Sequence, residues 1–203
     1  MNLQEIKKPT FINKLLEKIE GVGVPRNNIE AIFVVGSGLY LTNPQDLDLK
    51  VIVKRYYVKA EIGRNFVING EKVQCHYYTK KDWANIKKYK KDAQYIAEAH
   101  DMELIHGSGE GVVRHDVLTN KENQKYLIDI WGKHFFEHDP EGKLYKFDKK
   151  RLWNFILFAN KVNGQTHEIT NAQKLQMDQA HEGLIDIEDL RPTYNSLKAL
   201  IQE

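Results

Sequence analysis

Two short stretches of this chain pair residue types that can handle phosphate and metal together: Gly36-Ser37-Gly38 and Asp46-Leu47-Asp48-Leu49. Residues i and i+2 of a strand face the same way, ~6.5–7 Å apart at the Cα atoms. Asp46 and Asp48 can then converge on one Mg²⁺ or share a pair. Mg²⁺ prefers oxygen and commonly takes one or two carboxylates, completing its shell with substrate phosphates and water. Gly36 lets a phosphate come close to the backbone, and Ser37 adds a hydroxyl beside free N–H groups. The eight residues between Ser37 and Asp46 are expected to swing the Gly-Ser end over the carboxylates. Together these features read as a site for a metal–triphosphate complex.

Such a site needs strands to hold its two halves. Ala31-Ile32-Phe33-Val34-Val35 is a continuous apolar run between Asn27-Asn28 and Gly36, as expected of a strand buried on both faces. Leu47 to Val53 reads as a second strand. Leu47, Leu49, Val51 and Val53 share one face, and Asp46, Asp48, Lys50 and Ile52 the other. Asn69-Gly70, between Asn65–Ile68 and Lys72–Thr79, is a strong hairpin signal. Phe11, Ile12, Leu15, Leu16 and Ile19 recur at helical spacing, with Thr10 as the expected N-cap and Gly21 as the stop.

The rest reads as helical. Helices are expected over Asp82–His106, Asn123–Phe136, Asp148–Val162, Thr170 or Asn171–His181, and Thr193–Ile201. The predicted class is α+β: a mixed sheet with packed helices over residues 1–106, then a helical accessory or substrate-binding domain over 107–203.

Composition narrows the function classes. The 203 residues carry 30 Lys plus Arg against 28 Asp plus Glu, a net charge of +2. That balance argues against a basic nucleic-acid-coating protein and an acidic disordered tail. The single cysteine, Cys75, excludes an intramolecular disulfide, and no apolar leader or ~20-residue apolar span is visible. The expectation is a cytoplasmic chain with no membrane partner.

Gly36-Ser37 followed by hydrophobic-flanked Asp46-Leu47-Asp48 resembles the signature of the DNA-polymerase-β-like nucleotidyltransferase superfamily. The likeness covers about residues 30–80 and identifies no subfamily. It implies a nucleotidyltransferase-like core in which Asp46 and Asp48 hold Mg²⁺ or Mn²⁺. Gly36, Ser37 and Gly38 would bind a nucleoside triphosphate such as ATP. It also implies transfer of a nucleoside monophosphate to a hydroxyl acceptor (a small molecule, a protein or a tRNA or RNA end), with pyrophosphate leaving.

The family usually adds a third carboxylate from a neighbouring strand. On the corresponding strand here Gln74, His76 and Tyr78 share a face, and none is an acid. Three readings stay open. His76 acts as base or ligand; a carboxylate from elsewhere (Glu61, Glu71 or Glu110) fills the gap; or the site binds nucleotide without transfer, as a regulatory or antitoxin-like module.

Other motifs have plainer explanations. Gly107-Ser108-Gly109 lacks the Gly-Lys-Ser/Thr ending of a Walker loop and reads as a helix end. His115-Asp116 with His100 and Asp129 only loosely matches a His-Asp phosphohydrolase, and His134 and His138 lack the His-Glu-x-x-His pattern. Lys161 reads as a helix C-terminal charge. Residues 80–91 hold six lysines against Asp82, by default a solvated helix face and alternatively a nucleic-acid-binding patch. Residues 168–203, with three basic and seven acidic residues, oppose it in sign.

Overall fold

The computed structural model describes residues 2–39, 46–56, 65–86, 101–132 and 187–202, together with residues 96, 158, 162, 171, 175 and 179. The chain divides into two compact units, Met1–Tyr89 with Asp101–Arg114, and Lys90–His100 with His115–Glu203.

The first unit is built on a five-stranded mixed sheet. Its strands are β1 (Ile29–Val35), β2 (Leu47–Val53), β3 (Asn65–Ile68), β4 (Glu71–Thr79) and β5 (Glu103–Gly107), in the order β3-β4-β2-β1-β5. β2 runs antiparallel to β1 and parallel to β4, while β3 and β5 close the edges antiparallel to their neighbours. The β3–β4 hairpin turns where Asn-Gly demanded it: Asn69 and Gly70 both take positive φ, 54° and 85°, as a two-residue primed turn requires.

One face of the sheet carries the core. Ile32 and Val34 of β1, Leu47, Leu49, Val51 and Val53 of β2, and Val73, Cys75 and Tyr77 of β4 pack there. Against them lies helix α2 (Pro9–Gly21), with Phe11, Ile12, Leu15, Leu16 and Ile19 all buried. Those are the residues whose spacing predicted the helix. Its start differs from expectation: Lys8 is the N-cap and Pro9 opens the first turn, so Thr10 lies inside. Pro is suited to that place because its missing N–H would have no helical partner there. A short helix α1 (Leu3–Ile6) precedes it, capped by Asn2 and Glu5 reciprocally.

The expected long helix from Asp82 to His106 is not what forms. Thr79 caps a five-residue helix α3 (Lys80–Ala84) by accepting from the Asp82 amide at 3.1 Å. Glu103–Gly107 is instead the edge strand β5, paired with β1. A domain border between 106 and 107 would fall inside this strand. The amphipathic pattern from Trp83 onward ran into a four-residue segment, Glu103-Leu104-Ile105-His106, too short to show its own period. Its pairing with β1, far away in sequence, decides the conformation. Gly107-Ser108-Gly109 therefore begins at the last residue of a strand, not at a helix end.

In the second unit, helix α4 (Lys121–Gly132) and helix α5 (Arg191–Gln202) pack together. The Tyr194 hydroxyl donates to the Ile128 carbonyl at 3.3 Å. Phe158, from the apolar run expected to form a helix, is helical and buried. Asp116 is used locally: its carboxylate accepts from the Leu118 and Thr119 amides at 2.9 and 3.0 Å, forming the turn ahead of α4. The architecture is thus α+β, and no helix among the described residues is long and apolar enough to cross a membrane.

Candidate active site

The end of β1 and the start of β2 meet because the two strands are antiparallel, with Val35 opposite Asp48. Beyond Val35 the chain turns at once into a single 3₁₀ turn, Gly36–Leu39. Gly36 makes that turn possible: its φ is +64°, a left-handed value that an L side chain adopts only under strain. A Cβ placed on Gly36 would lie 3.9 Å from Asp48 Oδ2. The turn and the carboxylate are therefore neighbours.

Gly38 has a different reason to be glycine. A Cβ there would stand 2.6 Å from Leu47 Cδ1 and 3.0 Å from Val34 Cγ1, so the turn is pressed onto the two strands. Close packing alone explains its lack of a side chain. Ser37 lies within the turn between them.

Asp48 sits in the ladder and is 5% exposed. Asp46 occupies a bend just before β2 and is partly buried, so strand pairing does not fix its face as the i, i+2 pattern had assumed. The connector residues 40–45 lie outside the described residues.

The parallel β2–β4 register settles which β4 residues flank the carboxylate. Gln74 is opposite Asp48, His76 opposite Lys50, and Tyr78 opposite Ile52. Aligned residues of paired strands face the same way, so Asp48, Lys50, Gln74 and His76 form a two-by-two polar block on the face away from α2. His76 is 9% exposed and Lys50 fully buried. At the far end of this face Trp83 of α3 packs on Tyr78, ring centroids 5.2 Å apart, and its indole N–H donates to the Val113 carbonyl at 2.8 Å.

The register also places the other acids named from the sequence. Glu71 alternates with Val73 and Cys75, on the core face, so it does not supply the missing group beside Asp48. Glu110 follows β5 past Gly107, which pairs with Ala31 near the start of β1, the sheet end opposite Gly36. Glu61, Lys87, Lys88, Lys90, Lys91, His134, His138 and Lys161 lie outside the described residues. Of the lysine-rich segment, Lys80 is engaged by Glu30 at 3.1 Å.

Lys50, expected only to share the carboxylate face, is the most deeply buried charged side chain of that block. The sequence signal for it is a cation flanked by apolar residues in mid-strand, one alternation step from Asp48.

Cys75 lies on the opposite face, buried among core residues. Burial pushes its thiol well above the ordinary range, against a smaller lowering by the Tyr77 hydrogen bond. Tyr77 is raised for the same first reason, its burial. Neither is poised as a nucleophile.

Among the described residues no group of three or more His, Cys, Asp or Glu side chains gathers to hold a metal. The candidate oxygen donors at the β1–β2 end are Asp48, whose Oδ2 lies beside Gly36, and Asp46 in the bend before β2. A pair of hard carboxylates beside a glycine turn suits a Mg²⁺ that brings phosphate and water ligands with it. It does not suit a closed protein-only cage. Compared with protein-family models and with curated proteins, the sequence matches none.

Proposed function

We propose that this chain is a metal-dependent nucleotidyltransferase. It would transfer a nucleoside monophosphate from a nucleoside triphosphate to a hydroxyl acceptor (a small molecule, a protein or an RNA end) and release pyrophosphate. The observation that carries the reading is the position of Gly36 in a left-handed turn, its Cβ direction 3.9 Å from Asp48 Oδ2. A polyphosphate lying along that turn would meet backbone N–H groups on one side and the carboxylates on the other. A nucleotidyltransferase-like core would then occupy the first compact unit.

Each residue has a distinct task in this reading. Gly36 and Ser37 bind the β- and γ-phosphates through the turn, and Gly38 keeps the turn packed on β1 and β2. Asp46 and Asp48 hold Mg²⁺ or Mn²⁺. The bound ion supplies charge neutralisation for the phosphates. The acceptor oxygen forms a bond to the α-phosphorus, and the bond from α-phosphorus to the bridging oxygen of the leaving pyrophosphate breaks. The acceptor proton passes to His76 or to water. Positioning and charge account for most of such a rate enhancement.

A second reading is favoured by one specific observation. The residue opposite Asp48 is Gln74, an amide that can orient an acceptor but not deprotonate it or neutralise a cation. On that reading the chain is a regulatory or antitoxin-like module that binds nucleotide without transferring it.

Incubation with Mg²⁺ and each α-³²P-labelled nucleoside triphosphate, followed by product and pyrophosphate analysis, separates the two. Label transfer that disappears in Asp48→Asn supports the enzyme. Mg²⁺-dependent binding with no transfer across a broad acceptor panel supports the module. No binding of any triphosphate refutes both.

A further inference from the structure

We propose that this site takes one divalent cation, and that the ammonium of Lys50 supplies the positive charge a second ion would otherwise bring. The inference rests on the nucleotidyl-transfer reading above and concerns how that site is charged.

Lys50 is fully buried at the middle of β2, a strand whose seven residues are all buried. Taking an ammonium out of water is strongly unfavourable, and an apolar side chain of similar length would avoid that penalty. Its position is specific. It lies on the Asp48 face, one alternation step along the strand, at a Cα spacing of ~6.5–7 Å. Across the parallel ladder it faces His76, and the neighbouring pair is Asp48 with Gln74. The block thus holds a carboxylate and an ammonium side by side on β2, next to an amide and an imidazole on β4.

Charge counting follows from this placement. Asp46 and Asp48 provide two negative charges and Lys50 returns one positive charge. A single divalent ion arriving on a triphosphate finds carboxylate ligands there. A second ion would need a further acid beside Asp48, and the ladder puts Gln74 there instead. It would also have to approach a fixed cation within strand spacing, in a place where water screens poorly. A buried ammonium one alternation step from Asp48 adds positive potential at that end of the sheet without another metal. The absence of an acid at position 74 and the presence of a lysine at position 50 are then one coordinated arrangement.

The test is a count of Mn²⁺ by electron paramagnetic resonance, using the full chain and the α,β-methylene analogues of ATP, GTP, CTP and UTP in turn. The expected result is one Mn²⁺ per bound nucleotide in the native chain. Gln74→Glu alone should still take one, because Lys50 remains. Lys50→Met combined with Gln74→Glu should take two. Two ions in the native chain or in Gln74→Glu would overturn the inference, as would one ion in a folded double variant. If the double variant does not fold, the native and Gln74→Glu counts decide. Failure of the underlying reading looks different: no analogue would bind with Mn²⁺ at all.

Discussion

Replacing Gly107 by Ala should unfold the sheet unit well below its native melting temperature. Gly107 ends β5 opposite Ala31, with φ at +78°. A Cβ there would lie 2.0 Å from the Glu30 carbonyl oxygen, 2.8 Å from its carbon and 3.1 Å from Ala31 Cα. All three atoms are backbone of the adjacent strand, so no side chain can swing aside. The left-handed conformation costs Ala about 1–2 kcal/mol. Parting β1 from β5 adds an overpacking penalty of about 1–3 kcal/mol. It also strains the bond from the Ser108 amide to the Glu30 oxygen, 2.9 Å long, a bond worth about 1 kcal/mol. The expected loss is therefore about 3–6 kcal/mol. For a cooperative unit of about 100 residues, each kcal/mol moves Tm by roughly 4–8 °C. Far-ultraviolet circular dichroism during heating should then show a drop of at least ~12 °C. Gly109→Ala is the control. Its Cβ would meet Phe33 Cζ at 3.6 Å and Leu104 Cδ2 at 3.9 Å, ordinary contacts, so its effect should stay within about 0.5 kcal/mol. A Gly107→Ala chain melting within about 2 °C of native, or equal losses in both variants, would refute the steric argument.

Gly132→Ala should destabilise the α4–α5 pair by about 1–3 kcal/mol in urea titrations, because its Cβ would lie 2.0 Å from the Tyr194 hydroxyl; an unchanged midpoint would contradict the packing. Cys75 is fully buried with its thiol pushed up by desolvation, so a disulfide reagent near pH 8 should label it only after denaturant is added. Burial, with a smaller contribution from Arg26, holds His106 below the ordinary imidazole value of 6.5. The unfolded chain then binds that proton more readily, so stability should fall as pH drops from about 7 through 6.5. In His106→Gln the urea midpoint should lose that part of its pH dependence.

Local signals explain most of the sheet's legibility. Asn69-Gly70 specified its hairpin because only a few residues tolerate two successive positive φ values. The apolar run 31–35 and the alternation of 47–53 gave β1 and β2 for the same local reason. β5 was not legible, since five residues ending in glycine carry no clear period and only β1 supplies their partners. At the candidate site, Gly36 and Asp48 could be paired from the motif. That Gln74 faces Asp48 and His76 faces Lys50 could not be, because parallel register is set by long-range pairing. Gly38 is a related case: the sequence offered it to phosphate, while its contacts with Leu47 and Val34 tie it to the sheet.

Isothermal titration of the chain with a nucleoside triphosphate, with and without Mg²⁺, tests the central claim most directly when the native protein and Asp48→Asn are run together. The account predicts binding that requires Mg²⁺ and weakens at least about tenfold in Asp48→Asn, the loss of ~1.4 kcal/mol or more expected when a charged ligand group is removed. Binding of equal strength in both chains, or no binding to the native chain by any of the four triphosphates, would contradict it.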